Sequence, residues 1–107
     1  MVWGLNYIKY LESNWKRIAE KVKLTAEKFG KVVKVIVFGS IVKGKVTGSS
    51  DLDVAIFYSE ELTDKEKIRR VLEILNEVGE EIAVIDIQVF MKREDFFLKF
   101  IGEYVEI

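Results

Sequence analysis

The chain is 107 residues long, 50% hydrophobic and 33% charged, with 17 Lys and Arg against 18 Asp and Glu for a net charge of −1. That length supplies one core, and the composition is that of a globular domain with a charge-rich surface. With no Cys and no His, disulfides, thiolate sites, imidazole-held metals and His-based triads are excluded, so any chemistry must be carried by carboxylates. The near-neutral charge gives no basic field to gather extended nucleic acid. No apolar run approaches the length that spans a bilayer, and Met1-Val2-Trp3 leads into no signal-like pattern, so a cytoplasmic location is expected.

Leu5, Ile8, Leu11, Trp15, Ile18 and Val22 recur at helical spacing and predict a long amphipathic helix over residues 5–29, ended by Gly30. Lys16, Lys21, Lys23 and Lys28 belong to its solvated face rather than to a nucleic-acid patch. Residues 32–38 are rich in β-branched side chains and read as a first strand that delivers Gly39-Ser40 at its end. Residues 43–50, with Gly44, Gly48 and paired serines, form a loop, and residues 51–58 a second strand. Thr63 followed by Glu66 has the form of a capping box ahead of Ile68, Val71, Leu72, Leu75 and Val78, and Gly79 stops that helix. Residues 82–90 make a third strand. Phe96, Phe97, Phe100, Ile101 and Tyr104 then form an apolar stripe on a short final helix, read as core packing, with a partner-docking face as the alternative. No internal repeat or linker divides the chain, so residues 1–107 are one domain of the α/β class: a mixed sheet of three core strands with flanking helices, in two layers.

The chemistry concentrates at three acids and one turn. In an extended strand Asp51 and Asp53 project to one face roughly 6.6 Å apart. Two unit charges at that separation repel by about 2.5 kcal/mol at an effective dielectric of about 20. Asp86, flanked by Val84, Ile85, Ile87 and Val89, adds a third negative charge if its strand lies beside the second. Such a cluster is costly to a domain of ordinary stability unless a cation offsets it, and three hard oxygen donors suit Mg²⁺ or Mn²⁺ better than zinc. Gly39 permits a sharp turn and close approach to a ligand, and Ser40 offers a hydroxyl and a backbone N–H. A short helix starting at Ser40 and Ile41 would make an anion site for phosphate, with Lys43 and Lys45 nearby. Taken singly, the Gly-Ser pair is an ordinary strand end, the Asp-Leu-Asp a turn or cap, and Asp86 one half of a structural ion pair with a lysine. Taken together they point to a nucleoside triphosphate with its metals, and to phosphoryl or nucleotidyl transfer.

Gly39-Ser40, ten intervening residues, then Asp51-Leu52-Asp53 with apolar flanks resembles the signature of the DNA polymerase β-type nucleotidyltransferase superfamily, and in particular its minimal nucleotidyltransferases. The resemblance covers nearly the whole chain and implies the polymerase β-like fold. It implies that Asp51, Asp53 and Asp86 bind two Mg²⁺ ions (Mn²⁺ being the other candidate), that Asp86 also helps activate the attacking hydroxyl, and that Gly39, Ser40, Ser50 and Lys43 lie at the nucleotide. Ser50 matches the commonest family pattern; Lys43-Gly44 departs from a frequent Arg-Gly, replacing a bidentate fork with a point charge. The resemblance also implies ATP as substrate and a HEPN-domain protein as partner, with AMP transferred to a tyrosine of that partner in a toxin–antitoxin pair. Larger relatives carry an extra domain for the acceptor, so part of the acceptor site is expected from another protein. A catalytically silent partner-binding module and a small-molecule enzyme resembling the aminoglycoside nucleotidyltransferases are the alternatives.

Overall fold

The computed structural model describes residues 2–80 and 83–107, with side chains from residue 6 onward. Helix α1 (Val2–Glu27) buries a stripe of Tyr7, Leu11, Ile18, Ala19, Val22 and Ala26 at helical spacing. It starts before the predicted boundary, and its buried face is rotated from the predicted one, for Ile8 and Trp15 lie only at the margin. The Leu5 side chain and Ile82, both part of the expected pattern, fall outside the described residues.

Strand β1 (Val32–Phe38) has the predicted bounds, and β2 (Leu52–Tyr58) begins one residue after Asp51. The two pair antiparallel, with Phe38 opposite Asp53. Helix α2 (Asp64–Val78) opens with the predicted box: the Glu66 N–H donates to the Thr63 hydroxyl at 3.1 Å, and the Thr63 N–H to the Glu66 carboxylate at 3.0 Å. Gly79 closes it in the left-handed conformation at φ 62°, its N–H donating to Leu75 O, a geometry that favours glycine. Strand β3 (Ile85–Met91) then returns parallel to β2, which requires a crossover connection such as α2 provides.

The described strands number four, against the three predicted. Beyond a 3₁₀ segment (Lys92–Phe97) and the single helical turn α3 (Leu98–Ile101), strand β4 (Tyr104–Glu106) pairs antiparallel with β1, giving the order β3-β2-β1-β4. Tyr104 therefore lies in a strand and not on the predicted final helix. Every residue of β4 is exposed, so no alternation of apolar and polar side chains marked it; backbone pairing to β1, extended by the Ile107 N–H to Val35 O bond of 2.9 Å, defines it.

Alternation along the strands divides the core in two. Val35, Val37, Leu52, Val54, Ile56 and Tyr58 face α1 and α2 and form the main cluster. Ile36, Ala55 and Phe57 face the other way and are covered by Phe97, Leu98 and Ile101. From the predicted aromatic stripe, Phe97 and Ile101 pack on the sheet, whereas Phe96 and Phe100 are 56% and 79% exposed. No described helix is long and apolar enough to cross a membrane. Thr63→Ala should cost about 1 kcal/mol of stability by unmaking the box, lowering the urea midpoint with an unchanged m-value.

Candidate active site

Parallel pairing of β2 and β3 aligns Asp53 with Asp86 and Ala55 with Gln88. Neighbouring strands lie roughly 4.8 Å apart and aligned side chains share a face, so two carboxylates stand side by side on the less covered face of the sheet. Asp53 is half-buried and Asp86 exposed. Burial and then the charges of Asp86 and Asp51, with a hydrogen bond shared with Asp86, push the Asp53 carboxyl up to about 6. No ion pair among the described residues engages Asp86, so the structural pairing with a lysine that would have explained it away is not seen there.

Asp51 precedes β2 and acts on Asp53 through its charge. Among the described residues no three acidic groups are gathered tightly enough to enclose a metal ion. The arrangement is a close pair with a third carboxylate in Coulombic range. Its donor chemistry, all oxygen and with Asp53 raised first by burial and then by the charges of its neighbours, fits a hard divalent cation, which would offset the repulsion among the acids.

Gly39 closes the site from β1. Its φ is +83°, and a Cβ placed there would overlap a carboxylate oxygen of Asp53 and come within 3.2 Å of its Cγ. The backbone conformation thus favours glycine, and any larger residue would have to displace the Asp53 carboxylate. The chain beyond it does not form a short helix at Ser40, the condition on which a helix-start phosphate site depends. It forms a set of tight turns, with the Lys43 N–H donating to Gly39 O at 3.2 Å, Gly44 to Ile41 O at 3.3 Å and Lys45 to Ser40 O at 2.9 Å. Gly44 at φ +69° breaks helical continuation, and Ile41, 7% exposed, anchors the turn in the core. The N–H groups of Ser40, Ile41 and Val42 have no backbone acceptor among the described residues, so the turn keeps the free donors a helix start would have offered.

The remaining expected residues sit differently. Lys43 is exposed on the turn. Ser50 is 8% exposed, and its hydroxyl accepts from the Thr47 N–H at 2.8 Å, so it braces the loop ahead of Asp51. Sequence reasoning missed Tyr7, whose hydroxyl donates to Ser50 O at 2.7 Å and accepts from the Val84 N–H at 3.3 Å. A tyrosine on the apolar stripe of a helix was the available signal, because a buried phenol seeks a polar partner.

Residues 20–103 match the family described as "Polymerase beta, Nucleotidyltransferase". Among curated proteins none matches the chain. Among solved structures the chain is similar to the crystal structure of a "putative nucleotidyltransferase" from Sulfolobus solfataricus, with a TM-score of 0.64 and 19% identity over 94% of this chain and 84% of that one. At that identity the likeness is one of fold.

The raised Asp53 pKa has a definite sign. Between the ordinary carboxylate value and about 6 the folded state holds a proton that the unfolded state has released, so stability falls as pH climbs through that window. With Asp53 partly screened by solvent the loss is on the order of 1 kcal/mol. Asp53→Asn should flatten that contribution and make the metal-free protein more stable above pH 7, as melting temperatures at pH 4.5 and 7.5 would show. Gly39→Ala should cost at least about 1–2 kcal/mol from its backbone alone and displace the Asp53 carboxylate.

Proposed function

The chain belongs to the polymerase beta nucleotidyltransferase family, and on that footing we propose that it transfers AMP from ATP to a tyrosine hydroxyl of a HEPN-domain partner protein, as the antitoxin of a toxin–antitoxin pair. The observation that supports this reading most is the register of Asp53 beside Asp86 with Gly39 closed over Asp53. The coarse activity follows from the family; the tyrosine acceptor, the partner and ATP are carried by the resemblance of Gly39-Ser40 and Asp51-Leu52-Asp53 to the minimal nucleotidyltransferases.

Asp51, Asp53 and Asp86 would hold two Mg²⁺ ions, or Mn²⁺, which supply positive charge against the triphosphate. The free N–H groups at residues 40–42 and the Ser40 hydroxyl would receive the β- and γ-phosphates, with Lys43 adding a mobile positive charge. Ser50 would act through the loop it braces. The tyrosine oxygen attacks the α-phosphorus, the bond from that phosphorus to the bridging oxygen breaks, and pyrophosphate leaves with that oxygen. The phenolic proton passes to the Asp86 carboxylate. Exposed on the same side of the sheet, Phe96 and Phe100 favour a second reading in which the chain silences its partner by contact alone.

Incubation with α-labelled ATP, Mg²⁺ or Mn²⁺ and the co-expressed partner should label the partner's tyrosine, and Asp53→Asn should lower the rate by at least about 100-fold. Full neutralisation of the partner by Asp53→Asn would favour contact alone, and label transferred to a small alcohol without any partner would favour the small-molecule enzyme. Mn²⁺ should raise the melting temperature of the wild type but not of Asp53→Asn; a wild type indifferent to millimolar Mg²⁺ and Mn²⁺, with and without ATP, would sink the metal-dependent reading.

A further inference from the structure

We infer that Tyr7 is a positioning residue for the acidic site, a role that rests on the nucleotidyl-transfer reading and names a part of that site the reading does not contain. Tyr7 lies on α1, 7% exposed, outside the residues 20–103 that match the family. Its hydroxyl takes one hydrogen bond and gives another. It donates to the carbonyl of Ser50, the residue before Asp51, and accepts from the amide of Val84, two residues before Asp86. A third bond, from the Leu52 N–H to Val84 O at 2.8 Å, links the same two segments directly.

These bonds fall at the starting end of the β2–β3 ladder. Asp51 stands just before the first residue of β2, and Val84 just before the first residue of β3, so neither is gripped on both sides by regular pairing. Three carboxylates stand at the same two strand starts, Asp51 just before β2 and Asp53 beside Asp86 in register. One phenol, itself fixed in the core by its ring, ties the two starts together. Tyr10, one helical turn further along α1, holds the beginning of the same connection by donating to Glu80, so α1 grips the α2–β3 passage at two points. A phenol has one donor and can accept as well, and here both capacities are spent on the backbone of the two acid-bearing segments.

The test compares the full chain with Tyr7→Phe, which keeps the ring and deletes both bonds, and with Thr63→Ala, which loses stability far from the acids. Free Mn²⁺ is measured by electron paramagnetic resonance at a temperature where all three proteins are folded, and amide exchange is followed at Val84. Tyr7→Phe should bind Mn²⁺ about tenfold more weakly, while Thr63→Ala binds as the wild type does. In the unaltered protein saturating Mn²⁺ should slow exchange of the Val84 amide, because coupling between two sites is reciprocal. Wild-type affinity in Tyr7→Phe, equal weakening in Thr63→Ala, or a Val84 amide indifferent to Mn²⁺ would overturn the role of Tyr7 and leave the activity intact. A wild type that binds no Mn²⁺ would overturn the underlying reading, and the role of Tyr7 with it.

Discussion

Two like charges held in register are the constraint around which this fold is arranged. Asp53 and Asp86 could separate if β3 slid along β2, but a shift of one residue would turn Ile87, Val89 and Met91 out of the main core, and with them several kcal/mol of burial. Strand β2 is still less free, since Val54 to Tyr58 is buried without interruption between two neighbours. Hydrophobic pairing therefore imposes an electrostatic conflict that the acids cannot escape by moving, and it adds to the burial that raises the Asp53 carboxyl. Coordinated cations or shared protons are the remaining ways to relieve it.

Three elements converge on that pair from different directions. β1 brings the Gly39 turn across the mouth of Asp53; the loop braced by Ser50 delivers Asp51; and α1 ties the starts of β2 and β3 through Tyr7. Helix α2 lies between the two acid-bearing strands in sequence, and its box and glycine stop fix how far the chain travels before β3 begins. The acids are thus placed by contacts made mostly at their flanks, with Asp53 and Asp86 sharing a hydrogen bond between them.

Much of this was legible from the residues, and the parts that were not have a common cause. Val32–Phe38 and the ends of α2 announced themselves because a β-branched run, a Thr-x-x-Glu box and a left-handed glycine are local signals read within a few residues. The side-by-side placement of Asp53 and Asp86 followed once β2 and β3 were taken as neighbours, and the pairing bears that placement out. Strand β4 was missed because its definition is entirely a matter of partner: three exposed residues acquire an extended conformation from β1 and not from their own pattern. The same holds at Ser40, where a helix start and a tight turn present identical residue types and differ only in how Gly44 and the buried Ile41 pull the chain. Tyr7 belongs with these, since nothing local reveals that a phenol on an apolar stripe meets backbone groups more than forty residues away.

The contact between Gly39 and Asp53 ties the fate of two positions together. Any side chain at 39 needs the volume that the aspartate occupies, so a lineage cannot enlarge the first without shortening or redirecting the second. The two positions are then expected to vary in concert, a larger residue at the turn travelling with a shorter or redirected side chain at 53.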